Sequence, residues 1–293
     1  MSSVTPMPKP EHSSASQLTS WLHCQKSYQL KRILDAPSIP SVWLVAGVAL
    51  HDVFHVINLN HAAGEQQPDV RELFVDTIDS LALKTQEETA TPVSEWRCAG
   101  KATKEKPDRE NLTWWRIEGG KQAVMYLNWL RSSGWTLHKE ANNVLAEFET
   151  TAEFGGLTVK GFLDAVFVDD QGLLRLVDFK SGTRVPSSKT QLGLYAAALG
   201  RTLNMDIRYG SYYMTRKGEM TDAYDISRYG TEYFDRIFSK LKIAMDNDIF
   251  IPNPGEACFL CDVSSYCYAN GGATAYQWDP DHPQYTPISS KGM

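Results

Sequence analysis

Apolar positions recur at helical spacing through residues 18–34, where Leu18, Trp21, Leu22 and Tyr28 fall near one face before Pro37 and Pro40 close the segment. The run Ser14-Ala15-Ser16-Gln17 has the form of a capping box and predicts where that helix starts. Residues 42–59 (VWLVAGVALHDVFHVINL) are apolar almost all round, which predicts a helix buried on most sides. Residues 70–83 are amphipathic through Val70, Leu73, Phe74 and Leu81. Periodicity then lapses over 91–118, predicting a long loop ahead of a helix from about 119 to 131. After Gly134 the character changes. Residues 143–150, 157–168 and 173–180 are rich in Val, Leu and Phe and are separated by glycine-containing turns, which reads as a strand meander. A helix over 187–200, a strand over 206–214 and an amphipathic helix over 229–246 follow. The expected fold class is α/β: a mixed central sheet flanked by helices, with a helical N-terminal region.

Composition narrows this picture little. The 293 residues are 42% hydrophobic and 22% charged, a globular balance. Residues 1–13 are Ser/Pro-rich and 271–293 Gly/Pro/polar, so both read as flexible tails around one domain over 14–270. No run approaches the ~20 apolar residues of a membrane span. The first residues have no apolar core segment, so a cytoplasmic protein without membrane contact is expected. The net charge of −6 excludes a general basic coat, but not local contacts with nucleic acid.

The chemistry concentrates in Gly161-Phe162-Leu163-Asp164 on one predicted strand and Asp178-Phe179-Lys180 on the next. Strand residues two apart share a face, so Asp178 and Lys180 project together. Leu173, Leu174, Leu176 and Val177 make the rest of that strand apolar on both faces, so it is expected to be central. An Asp and a Lys emerging there are costly unless they pair or hold a metal. If the hairpin sets Asp164 beside Asp178, a divalent cation relieves the repulsion of the two carboxylates, polarises a phosphate oxygen and acidifies bound water. The plain alternative is an Asp178–Lys180 surface ion pair. Gln191 and Tyr195 follow on the next helix, and His51 lies in the buried early one, where it also fits a core histidine.

Gly47-Val48-Ala49-Leu50-His51, Gly161-Phe162-Leu163-Asp164, Asp178-Phe179-Lys180 and Gln191-Leu192-Gly193-Leu194-Tyr195 occur in that order over about 150 residues. This series resembles the PD-(D/E)XK nuclease superfamily, specifically its RecB-like exonuclease branch. The resemblance implies a restriction-endonuclease-like core. It makes His51, Asp164 and Asp178 ligands of Mg²⁺ or Mn²⁺, with the Phe179 carbonyl as a further ligand, and Lys180 the catalytic lysine. Gln191 and Tyr195 would shape the site or touch DNA. Glu147 or Glu149, expected on one strand face, would supply the acidic residue preceding the Gly-x-x-Asp strand, with Glu147 preferred.

Cys258, Cys261 and Cys267 have the spacing C-x2-C-x5-C. Three thiolates so close hold one face of a metal centre, and zinc or a cubane cluster wants four ligands. Cys24 is preferred as the fourth because it is predicted on a helix, whereas Cys98 lies in the polar loop and reads as a free thiol. With Tyr28 following, the Cys24 segment resembles the N-terminal part of RecB-like nucleases in which one early and three late cysteines clasp a 4Fe–4S cluster, as in CRISPR-associated exonucleases. Gln25 stands where proline is usual. Zinc is the alternative.

Residues 96–116 interleave Lys101, Lys104, Lys106 and Arg109 with Trp114 and Trp115, suited to tracking phosphates and stacking on unpaired bases, or else to a solvated loop anchored by its tryptophans. The expected function is metal-dependent cleavage of DNA, as an exonuclease on single strands or free ends, in recombination, repair or CRISPR-type processing with partner proteins of those systems. The alternative is a non-catalytic iron–sulfur protein that binds DNA or senses redox state.

Overall fold

The computed structural model describes residues 10–104, 106–141 and 143–287. In chain order its elements are α1 (Ala15–His23), α2 (Gln25–Arg32), α3 (Val42–Ala63), α4 (Val70–Thr89), α5 (Leu112–Ser132), β1 (Thr136–Leu137), β2 (Lys139–Glu140), β3 (Asn143–Val144), β4 (Ala146–Phe154), β5 (Leu157–Val168), β6 (Leu174–Lys180), α6 (Thr190–Leu203), β7 (Tyr209–Met214), β8 (Glu219–Met220), β9 (Tyr224–Asp225), α7 (Thr231–Asp246) and α8 (Ala275–Trp278). Among the described residues these form two compact units: 10–38, 151–160 and 231–287 in the first, 39–150 and 161–230 in the second.

In the second unit, β5 and β6 pair antiparallel from Ala165↔Val177 to Val168↔Leu174. β6 and β7 run parallel, with Asp178 beside Tyr212, and α6 lies in the connection between them. The sheet order is β1-β5-β6-β7-β8, with β4 also on β5 and β9 also on β7. β6 is therefore a central strand, and its apolar residues on both faces are the reason.

Helices α3, α4 and α5 supply much of this unit's core, burying Leu50, Phe54 and Ile57 of α3, Phe74 and Ile78 of α4, and Trp115, Ala123 and Tyr126 of α5. Phe54 stacks on Tyr126 at 4.0 Å between centroids, and both meet Phe179 edge-on. The Tyr126 hydroxyl donates to Asn58 Oδ1 at 2.6 Å, so the buried phenol keeps a partner. Gly119 lets α4 and α5 approach closely, since a Cβ there would lie 2.1 Å from the Phe74 ring.

Three expectations change here. By length and composition α3, with 22 residues, could cross a membrane, against the expectation that no run approaches a span. Half of its apolar window is buried, fewer positions than the all-round apolar pattern predicts. The loop expected over 91–118 ends early: Asn111 caps α5 by accepting from Trp114 N–H, placing Trp114 and Trp115 inside the helix. The helix expected over 18–34 is broken at Cys24, which has extended backbone (φ −159°, ψ 111°) and ends α1 as α2 begins.

The first unit gathers α1, α2, α7 and α8. Ser14 caps α1, accepting from Gln17 N–H at 3.2 Å. Phe154 packs on Phe234 and Phe238 of α7. Residues 271–287 are not the flexible tail expected. Asp279 is buried and 3.0 Å from the buried Lys26 ammonium, which also reaches Asp281 at 2.8 Å and Gln29 at 2.7 Å. At the other end, Ser13 bridges to Val159, so the expected loose segment is ordered by its last residue. Residues 1–9 of that expectation, and 288–293 of the C-terminal one, lie outside the described residues.

Candidate metal centre and cysteine region

The pleat of β5 and β6 brings the predicted residues together. Asp164 is buried, with Oδ1 3.2 Å from His51 Nδ1 and Oδ2 accepting the Phe179 N–H at 2.5 Å. Glu147 Oε1 lies 3.3 Å from the same imidazole nitrogen. Among the described residues, His51, Glu147 and Asp164 are the group whose ligand atoms all lie within 4.8 Å of one another. Asp178 is outside that group.

Glu147 reaches the site because β4 is irregular there. Its φ of +46° is left-handed, a conformation a non-glycine residue seldom adopts, and the strand's alternation breaks. The expectation that Glu147 and Glu149 share a face is corrected: Glu147 meets His51, while Glu149 is exposed.

Asp178 is nearly fully buried, and its Oδ1 has no hydrogen bond. Lys180 Nζ lies 2.6 Å from Oδ2 as an ion pair. Burial first, and then the Asp164 charge, push the Asp178 pKa up to about 6. Burial disfavours the His51 imidazolium, yet Asp164 and then Glu147 outweigh it and raise its pKa well above 6.5. Lys180 also donates to Gln191 Oε1 at 3.0 Å. Tyr195 packs over Gly161, where a Cβ would sit 3.0 Å from the ring, so the Gly-x-x-Asp glycine makes room for the Gln-x-x-x-Tyr tyrosine. Burial, with Asp164 and Asp178 nearby, raises the Tyr195 pKa and keeps its hydroxyl protonated.

The donor set suits a hard divalent cation: carboxylates and one imidazole converge, and a buried carboxylate beside them has unmet acceptor capacity. Phe179 contributes a buried ring, edge-on to His51 at 5.8 Å.

The basic segment is less open than its composition implies. Lys101 and Lys104 are exposed. Lys106 is 3.1 Å from Glu110 and lies over Trp114. Arg109 Nε donates to the Gly100 carbonyl at 2.9 Å. Trp115 has no exposed surface, so the expectation that it stacks on bases is corrected: it is core, covered by Arg216. Arg216 was not legible as a site residue. It grips Glu110 through both Nη atoms, at 2.8 and 3.4 Å, and donates Nε to the carbonyl of Ser181, the residue after Lys180. A lone arginine after a strand carries no spacing signal.

In the first unit, Cys24 sits at the helix break and Cys258, Cys261 and Cys267 lie on successive 3₁₀ turns or at their ends. None of the five cysteines is in a disulfide. Cys261 and Cys267 pack against Leu30, Ala36 and Val263, and Ser27 Oγ is 3.8 Å from Cys261 Sγ. Burial, then the charge of Asp279, then that of Cys24 push the Cys267 thiol up, against hydrogen bonds from neighbouring backbone amides. Among the described residues no three of these sulfurs close within 4.8 Å, so the expected four-thiolate centre is not formed as a compact group.

Residues 12–268 match the family model of the PD-(D/E)XK nuclease superfamily, and the chain belongs to that superfamily. Its relatives include the gene 69 protein of Mycobacterium phage D29, 27% identical over 279 residues, and that of Mycobacterium phage L5, 28% identical over 286. Each alignment covers 87% of this chain and 95% of the relative. A solved structure described as the crystal structure of SSO0001 matches with a TM-score of 0.32 at 14% identity, covering 54% of this chain and 71% of that one. Membership of this superfamily implies a nucleic acid substrate.

Proposed function

We propose that the protein is a Mg²⁺- or Mn²⁺-dependent deoxyribonuclease that acts as an exonuclease on single strands or free ends. The observation that carries this is the convergence of His51, Glu147 and Asp164 beside the under-bonded Asp178 and the lysine paired with it. A divalent cation on these ligands supplies Lewis acidity toward a phosphate oxygen and an acidified water. Lys180, held between Asp178 and Gln191, offers a fixed positive charge to the pentavalent phosphate. Gln191 orients that ammonium, and Tyr195 fills the space over Gly161 with its proton retained. Phe162 shares a strand face with Asp164 and is 50% exposed, a flat apolar surface on which an unpaired base can stack. That favours unpaired substrate over duplex. The reaction would serve recombination, repair or CRISPR-type processing.

The same reading assigns a 4Fe–4S cluster to Cys24, Cys258, Cys261 and Cys267. Thiolate-only ligation suits it.

The test is an anaerobic preparation assayed for iron and then incubated with end-labelled single- and double-stranded DNA, with and without Mn²⁺. Mn²⁺-dependent loss of nucleotides from single-strand ends is expected, and an unchanged substrate at every metal concentration refutes the nuclease reading.

A further inference from the structure

Lys180 is the last residue of β6, and the chain leaves it for a stretch that is exposed over 182–185. The end of a strand opens more readily than its middle, so a side chain there is only as fixed as the backbone beneath it. Two consecutive residues after β7 hold that backbone. Thr215 N–H donates to the Lys180 carbonyl at 3.0 Å, and Arg216 Nε donates to the Ser181 carbonyl at 2.7 Å. Each is itself fixed on α5 or just ahead of it. Thr215 Oγ1 donates to Gln122 Oε1 at 2.5 Å, and both residues are buried. Arg216 places its two Nη atoms on the buried Glu110 and lies over the Trp115 and Trp114 rings at 4.8 and 5.2 Å. Glu110 is kept charged. Burial alone would raise its pKa, but hydrogen bonds from Arg216 and then Lys106 hold it below the usual carboxylate range. Ser181 also borders α3, where a Cβ on Gly47 would lie 3.4 Å from its Oγ.

We infer that Arg216 is a positioning residue for Lys180: it fixes the backbone just after the lysine, so that the ammonium stays between Asp178 and Gln191 instead of following the exposed stretch. This rests on the nuclease reading above for the task of Lys180 and adds what sets its place. Each of the three Arg216 nitrogens has a protein partner, which favours a holding role over contact with substrate. A planar guanidinium serves a carbonyl and a carboxylate together in fixed directions, whereas an ammonium on a flexible stem does not. Small errors of place matter in this chemistry, since misplacing a group by about 1 Å can cost about a hundredfold in rate.

The experiment makes Arg216→Lys in the full chain, which keeps a positive charge beside Glu110 and removes the fork. Glu110→Gln is the second variant; it keeps Arg216 and loosens what holds it, and it carries the same test where Arg216→Lys fails to fold. Two quantities are measured on each: steady-state cleavage of end-labelled single-stranded DNA in Mn²⁺, and amide hydrogen exchange at Thr215. In Arg216→Lys, kcat per folded molecule should fall roughly ten- to a hundredfold. KM for DNA and the Mn²⁺ requirement should stay within about twofold, because Arg216 binds neither the strand nor the cation. The Thr215 amide, whose acceptor is the Lys180 carbonyl, should lose about tenfold of its protection, the scale of one hydrogen bond. Glu110→Gln should move both quantities in the same direction by a smaller factor. An arginine that only supports the fold would lower Tm and leave kcat per folded molecule at the parental value. One that contacts DNA would raise KM instead. Either result, or an unchanged protection at Thr215, overturns the assignment. A parent chain that cleaves no DNA, in a series where Thr215 still loses its protection as expected, refutes the nuclease reading and leaves the clamp on Lys180 standing.

Discussion

The carboxylate site and the cysteine region are built on opposite principles. Asp164, Asp178 and Lys180 ride on paired strands whose pleat fixes where each side chain points, and aromatic packing around Phe179 holds the strand. Cys24 sits at a break between helices, and the other three cysteines lie on short 3₁₀ turns. Regular hydrogen bonding presets the first site. The second is held by a few local contacts, chief among them the buried Lys26–Asp279 pair. Changes at the carboxylate site should therefore alter rate and metal affinity, whereas changes around the cysteines should alter stability and iron content.

Cys24→Ala should have the largest effect, removing bound iron and brown colour from an anaerobic preparation while Cys98→Ala keeps both. Equal iron in the two variants breaks the cysteine half of the comparison. Lys26→Met comes next. It leaves Asp279 buried without its cation, at a cost of about 3–5 kcal/mol by denaturant unfolding, with cleavage per folded molecule unchanged. Asp178→Asn should do the reverse. Cleavage should fall at least ~10²-fold, the scale of losing one preorganised charge-stabilising group, with Tm held or raised because an awkward buried carboxylate is gone. A variant that still cuts at the parental rate ends the active-site assignment.

A smaller effect follows from proton linkage. The folded-state pKa values of Asp178, about 6, and of His51 are both raised. Their contribution to the stability of the metal-free protein is thus fully present below their unfolded values. It is lost as pH rises through the folded ones, from about 4 to 6 for Asp178 and above 6.5 for His51. A divalent cation binds the deprotonated groups and restores what was lost. Mn²⁺ at ~100 times its Kd should stabilise by about 2.7 kcal/mol at pH 8 and far less at pH 5. A Tm increase that is independent of pH separates the metal from these residues.

The legibility of the two regions differs for the same reason. The Gly-x-x-Asp and Asp-x-Lys strands follow from alternation and apolar runs, because a strand has one geometry and its side chains keep count. Helix interiors were legible too. What escaped is local. The break at Cys24 needs one extended residue inside a helical pattern. The start of α5 depends on the Asn111 cap, which turned an expected loop into a helix and Trp115 into core. The packing of residues 271–287 depends on a lysine and an aspartate 253 positions apart in the chain. Composition shows none of these: the first two are decided by one residue's backbone or cap, and the third by a contact between residues distant in the chain.

Glu147 gives the smallest and sharpest test, because it is the one place where the preset strand site departs from regularity. A left-handed non-glycine residue costs roughly 1–2 kcal/mol. Its contact with His51, a pair exposed by 22–30% of their side-chain area, returns at most about 1 kcal/mol. Glu147→Ala removes the contact and keeps the backbone strain; Glu147→Gly removes both. At an ordinary strand position glycine is less stable than alanine by roughly 0.5–1 kcal/mol. Here the order should invert, with the glycine variant more stable than the alanine variant by about 1 kcal/mol in chemical denaturation. Both variants should need more Mn²⁺ for cleavage than the parent, and by the same factor, because both have lost the carboxylate. An alanine variant as stable as the glycine one would mean that the left-handed turn at Glu147 costs nothing. A lower metal requirement in either would mean that Glu147 faces His51 without serving the cation.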